Sequence, residues 1–175
     1  MSTRSYICKE LPNGKYKTIY CHSDGYIDFN GVILNDIYNT EKKVDKLLAL
    51  GNLSSLGVVT DPDKRKTHDF DNPQRYVCVA YDRDRQESDQ EARELTLKQM
   101  LKNTWIEYFY LFDKNGKWQV SQAYFPNEKD LELLSEDSLR CMFKPLADEV
   151  EKECTEQHRT ELKKLAESMS SDEEM

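Results

Sequence analysis

Two Asn-Gly turns, each set between runs rich in aromatic and β-branched residues, constrain this chain more than any other feature. Residues 105–112 and 118–125 flank Asp113-Lys114-Asn115-Gly116, and residues 4–10 and 16–22 flank Pro12-Asn13-Gly14. Asn and Gly tolerate the positive φ that tight hairpin turns demand, so both stretches predict β-hairpins. Strand alternation in the later one would set Trp105, Glu107, Phe109 and Leu111 on one face and Ile106, Tyr108, Tyr110 and Phe112 on the other. Residues 75–81, apolar at nearly every inner position, predict a further strand covered on both faces.

Helical signals surround these strands. Thr40 is placed to cap a helix over 41–50 whose Val44, Leu47 and Leu48 share a face, and Gly51 supplies a left-handed end. Shorter helices are predicted over 31–38 and over 91–102, the latter offering Ala92, Leu95, Met100 and Leu101 to a core. From Phe143 through Leu146, Val150, Cys154, His158, Leu162 and Leu165 to Met169, apolar or packable residues recur every three or four positions. That spacing predicts one long amphipathic helix with Pro145 near its first turn. Its stripe has two possible partners, the chain's own sheet or a second copy in a homodimer. The expected class is therefore α+β: an antiparallel sheet of two hairpins and a further strand, covered by helices. At 175 residues the chain has the length of one domain. Residues 1–169 are read as that domain and 170–175 as a frayed acidic tail.

Charge and cysteine usage narrow the surroundings. The formal net charge is −8, and residues 145–175 alone carry ten acids against four bases. Such a surface repels phosphate backbones and disfavours direct nucleic-acid binding. The acidic side of the last helix, opposite Phe143, Leu146 and Val150, reads as a solvated face. No run approaches the ~18 apolar residues of a membrane span, and the first residues lack the apolar core of a secretory signal, so a cytoplasmic, membrane-free protein is expected. Cys8, Cys21, Cys78, Cys141 and Cys154 form no C-x-x-C pair and are read as small buried hydrophobes.

Three segments carry residues capable of chemistry. Cys21-His22-Ser23-Asp24-Gly25-Tyr26 sets an imidazole and a carboxylate in a turn after a strand, a spacing that suits a general base, a metal-ligand pair or a binding surface. His68-Asp69-Phe70-Asp71 is the second. The third, Asp82-Arg83-Asp84-Arg85, offers Arg83 and Arg85 for gripping an anion, since the guanidinium fork matches phosphate and carboxylate. If the loops met, His22, Asp24, His68, Asp71 and Asp84 would make a mixed oxygen and nitrogen set for a divalent cation. Nucleotide-binding glycine loops, zinc-protease and serine-hydrolase signatures are all missing, so no cofactor and no catalytic residue is assigned. His158, on the apolar stripe, is read as a packing residue.

The segments Ile19-Tyr20-Cys21-His22-Ser23-Asp24-Gly25-Tyr26, Gly31-Val32-Ile33-Leu34, Tyr38, Lys43-Val44, Leu47-Leu48-Ala49-Leu50-Gly51-Asn52-Leu53-Ser54-Ser55-Leu56-Gly57 and Val79-Ala80-Tyr81-Asp82-Arg83-Asp84-Arg85 together carry a resemblance. The chain resembles, over residues 4–87, a family of small uncharacterised proteins encoded by bacteriophages and prophages. Members of that family tend to place Gly after the second Arg, where this chain has Gln86. The resemblance implies a host-takeover or anti-defence role in which the protein binds and blocks a host protein without catalysis. His22, Asp24, Tyr26, Arg83 and Arg85 are the expected binding residues. Two other functions compete with it. One is a metal-dependent hydrolase or nuclease built on His22, Asp24 and His68, and the other is a sponge that holds a small anionic signalling molecule through Arg83, Arg85 and a Tyr-rich sheet.

Overall fold

The computed structural model describes residues 2–171. Among these described residues eight strands form one sheet: β1 (Ser5–Glu10), β2 (Tyr16–Cys21), β3 (Leu53–Ser55), β4 (Val79–Ala80), β5 (Arg93–Leu95), β6 (Tyr108–Phe112), β7 (Trp118–Ser121) and β8 (Lys144–Pro145). Eight α-helices among the described residues surround it: α1 (Val32–Asp36), α2 (Glu41–Leu48), α3 (Tyr81–Arg85), α4 (Leu97–Leu101), α5 (Glu128–Glu132), α6 (Glu136–Arg140), α7 (Leu146–Glu153) and α8 (Glu156–Ser171). A wide helical turn, Ile27–Gly31, precedes α1.

Both hairpins form where the Asn-Gly turns predict them. Gly14 and Gly116 adopt φ of 81° and 73°. Asn13 and Asp113 accept backbone N–H groups inside the two turns, which fixes the registers Glu10↔Tyr16 and Phe112↔Trp118. The α+β class therefore holds, but the sheet is mixed and not antiparallel as expected. The first arms β1 and β6 lie side by side in parallel, Ser5 against Tyr108 and Lys9 against Phe112, and β3 joins β2 in parallel at Cys21↔Leu53. The reason lies in the connection. Residues 22–107 separate the two hairpins, ample for the crossover that parallel neighbours need.

Strand alternation divides the core into two layers. Ile7, Ile19, Tyr110, Phe112 and Val120 face the helices α1, α2, α7 and α8, packing against Val32, Leu34, Leu47, Val150 and Leu162. Tyr6, Cys8, Tyr16, Phe109 and Leu111 face the other way, against Leu97, Met100, Leu131 and Leu139. The predicted alternation of β6 is seen from Tyr108 onward. Ile106 lies before the strand and joins the second layer, opposite the face alternation gave it.

Several element boundaries depart from the pattern of apolar residues. Over 91–102 the helix is confined to α4, because Thr96 and Gln99 close a reciprocal cap at its start. The residues just before it become β5, paired antiparallel with β2 at Tyr16↔Leu95. The strand expected over 75–81 shrinks to two residues, since Tyr76 sits at φ 64° and Tyr81 already opens α3. The long last helix is two helices. Cys154 is extended (φ −112°, ψ 136°), and the Thr155 hydroxyl accepts the His158 N–H at 3.1 Å, so a local cap interrupts the apolar stripe.

After that break α8 folds back on its own chain. Leu162 and Ala166 are buried in the first layer, and Arg159 grips the Asp36 carboxylate of α1 with two bonds of 2.8 Å. Of the cysteines, Cys8, Cys21 and Cys78 are buried as expected and Cys154 is half-buried. Cys141 is exposed, because it ends α6 with its side chain turned off the core. Beyond Ser171 the acidic tail lies outside the described residues. Among those described, no helix is long and apolar enough to cross a membrane.

Candidate functional site

The strand ends bring His22, Asp24 and Tyr26 to one end of the sheet, where β1 and β6 begin and β2 and β7 finish. His22 is held from both sides of its ring, Nδ1 by the Tyr20 hydroxyl at 2.7 Å and Nε2 by the Ser2 hydroxyl at 2.9 Å. Asp24, not the following glycine, takes the left-handed conformation of the turn (φ 56°). Gly25 is required for a different reason. A Cβ there would lie 2.7 Å from the Thr3 carbonyl, to which the Gly25 N–H is bonded. Tyr26 donates to the Asp24 carboxylate at 3.1 Å and remains 38% exposed as a residue.

Two aromatic residues absent from the sequence-based site join this end. Trp105, just before β6, is 72% exposed with the Arg4 guanidinium 5.5 Å from its ring centre, and Tyr124, just beyond β7, is 66% exposed. Carboxylates stand around Tyr26 and Tyr108. Burial raises the Tyr26 hydroxyl above its ordinary value, and Asp24 and Asp28 add to the shift. Burial likewise raises Tyr108, helped by the negative charges of Glu153, Glu107 and Asp28. Aromatic faces rimmed by acids are the surroundings that favour a basic or amphipathic protein segment.

The third segment does something else. Arg83 donates through Nη1 to the Thr60 carbonyl and through Nη2 to the Cys78 carbonyl, both at 2.6 Å, and through Nε to Asp84 at 2.9 Å. Asp84 also accepts the Ala80 N–H at 2.8 Å and faces His68 Nε2 at 3.2 Å. The side chains of His68 and Asp84 are 2% and 3% exposed. The Gln74 N–H donates to His68 Nδ1 at 2.9 Å, which assigns the ring proton to Nε2 and aims it at Asp84. Burial pushes the Asp84 carboxyl up, but the hydrogen bonds from Arg83 and Ala80 and the Arg83 charge outweigh it, and its pKa falls below the ordinary carboxylate value.

Arg83 and Arg85 thus spend their donors inside the chain. Arg85 lies 4.0 Å from the Phe70 ring centre and 5.2 Å from that of Tyr81, and its guanidinium is tied to Glu87. The histidine and carboxylate loops do not converge into a ligand set. His22 is engaged at the sheet end, His68 beside Asp84, and Asp71 gives its backbone N–H to the Asp69 carboxylate in an exposed turn. Among the described residues no group of three or more His, Cys, Asp or Glu is placed to hold a metal ion. His158 is half-buried and bonded through Nε2 to the Asp28 carbonyl at 2.9 Å, tying α8 to the turn after β2 instead of packing in the stripe.

Sequence reasoning passed over Trp105 and Tyr124 because alternation treats every aromatic of a hairpin as sheet lining. The available signal was position: both lie outside the residues that the turn places in register. Compared with protein-family models, with curated proteins and with solved structures, the chain matches none of them significantly.

Proposed function

We propose that the protein is a phage- or prophage-borne accessory factor that binds and blocks a host protein without catalysis, using the end of the sheet that carries Tyr26, Trp105 and Tyr124. One observation carries this reading: three large aromatic residues stand 38%, 72% and 66% exposed at a single end of the sheet. Trp and Tyr, with Arg, are the residues that dominate binding energy at protein interfaces. Arg4, stacked over Trp105, completes that set. His22, braced by Tyr20 and Ser2, forms the polar floor beside them. The acids Asp24, Asp28 and Glu107 suit a partner whose rim is basic.

The test compares the tagged protein with its Trp105→Ala/Tyr124→Ala double variant as bait in a nuclease-treated bacterial lysate, with bound proteins quantified by mass spectrometry. The expected result is one near-stoichiometric host protein on the native bait. On the double variant its affinity should fall by roughly 30-fold or more, the ~2 kcal/mol of a binding hot spot. Trp105→Phe should restore part of it. Equal capture by the double variant, or no captured protein at all, would overturn the proposal.

A further inference from the structure

The chain from Thr60 to Cys78 has no helix or strand, and it is longer than the roughly 12–15 residues that structureless loops rarely exceed without a function. It is nevertheless fastened at both ends, in its middle and across its interior. Arg83 ties its two ends together through the Thr60 and Cys78 carbonyls, and the Asp84–His68 pair holds its middle. Inside the loop, Gln74 receives the Asp63 N–H at 2.9 Å and donates to the carbonyls of Asp63 at 2.8 Å and Lys66 at 3.2 Å. Gly57 completes the anchoring: a Cβ there would lie 2.3 Å from the Tyr76 carbonyl, so only glycine lets the return strand approach. Tyr76, in the left-handed region, then carries Arg75 with its guanidinium 5.0 Å from the ring centre.

What this braced loop presents is a cleft of about 810 Å³ whose rim is basic. Its two acids are already matched, Asp61 by Lys46 at 2.6 Å and Asp63 by Arg65 at 3.0 Å, with the Asp63 carboxyl drawn down to about 2 by its Arg65 hydrogen bonds. Lys64, Lys66 and Arg75 line the same cleft, and none of the ion pairs among the described residues involves them. Val59, Pro62 and Met169 give it apolar walls. In a chain of net charge −8, three surplus cations around a concave site form a local inversion of the surface field. The volume lies in the ~300–1,000 Å³ range of small-molecule sites, and the acidic remainder of the surface repels a nucleic-acid polymer.

We propose that this cleft binds a small molecule bearing two or more phosphates, held by Lys64, Lys66 and Arg75. The Arg83–Asp84–His68 cluster acts behind it as a brace. The site is separate from the sheet end that carries Trp105, so either assignment survives the failure of the other.

Isothermal titration of the full-length protein with inorganic tripolyphosphate, and separately with ATP, tests this at fixed ionic strength with sulfate as the control anion. Saturable one-to-one binding of tripolyphosphate is expected, weakening as salt rises and by at least 10-fold in the Lys64→Ala/Lys66→Ala variant. Both lysines are exposed, so their removal leaves the fold standing, and an unchanged melting temperature without ligand verifies that. Gln74→Ala, which keeps every cation but unties the loop, should also weaken binding. Tighter binding of ATP would assign the ligand to nucleotides, and equal affinity would assign it to the phosphate chain alone. Heats indistinguishable from sulfate, or undiminished affinity in the double lysine variant, would overturn the proposal.

Discussion

Around Asp84 the polar side chains turn inward, whereas around Trp105 the aromatic ones turn out. Asp84 bonds both Arg83 and His68, Arg83 also binds the carbonyls of Thr60 and Cys78, and the Asp84 and His68 side chains are nearly withdrawn from water. At the sheet end, Trp105 and Tyr124 expose most of their surface although buried positions lie a few residues away, at Phe109 and Val120. Residue type alone would assign these roles the other way about, with charged groups at the working surface and aromatics in the core. The difference teaches that a polar cluster is judged by whether its partners are internal. An aromatic is judged by whether the sheet has room for it.

The largest expected effect breaks the comparison at Asp84. Asp84→Ala would leave the Arg83 Nε–H, the His68 Nε2–H and the Ala80 N–H, three donors that share one carboxylate, without that acceptor. Removing one partner of a buried ion pair costs about 3–5 kcal/mol, and in a chain of this size that lowers the melting temperature by on the order of 10 °C. Trp105→Ala should shift stability by no more than about 0.5 kcal/mol, the usual range for exposed positions. Calorimetric melts of the two variants decide it, and comparable losses would erase the distinction between a structural cluster and a presented surface.

A smaller effect follows from the depressed pKa of Asp84. A carboxyl whose folded pKa lies below its unfolded value stabilises the fold above that unfolded value, near 3.9. The contribution fades as pH falls through the folded pKa. Asp36 behaves in the same way: burial raises it, but Arg159 and Asn35 outweigh burial. Asp84→Asn removes one of these two contributions. The gap in melting temperature between the native protein and Asp84→Asn should therefore be widest above about pH 5 and narrow steadily below about pH 4. A gap that stays constant to pH 2 would show that Asp84 acts by shape and not by charge.

How much of this was legible in the sequence differs between the two regions. The hairpins were, because Asn13-Gly14 and Asn115-Gly116 fix their turns by local backbone chemistry. So was the helix over Glu41–Leu48, whose Thr40 cap and Gly51 end are short-range signals. The parallel pairing of β1 with β6 was not, since nothing near either strand records which neighbour it meets across a long crossover. Nor was the division of the last helix, where a single Thr155 cap outweighs an apolar stripe that runs through it in phase. At the candidate sites the sequence names the residues but not their direction. The pair Arg83-Asp84 reads the same whether it grips a ligand or the Thr60 and Cys78 carbonyls, because its acceptors come from residues distant in the chain.

The smallest effect concerns Gln86, which ends α3 in the left-handed region (φ 55°, ψ 38°) and hands the chain on with its N–H bonded to Asp82 at 2.9 Å. A side chain there carries a Cβ penalty of roughly 1–2 kcal/mol that glycine avoids, while glycine gives back about 0.5–1 kcal/mol in unfolded-chain entropy. Gln86→Gly should thus gain about 0.5–1 kcal/mol and raise the melting temperature by roughly 2 °C. Asp24, the left-handed residue at the other end of the comparison, should gain less from the same change. Its carboxylate accepts the Tyr26 hydroxyl, and Asp tolerates this conformation better than Gln. If Gln86→Gly proved neutral while Asp24→Gly stabilised, the strain would sit at the exposed sheet end and not behind the braced loop. The two regions would then exchange the roles their hydrogen bonds give them.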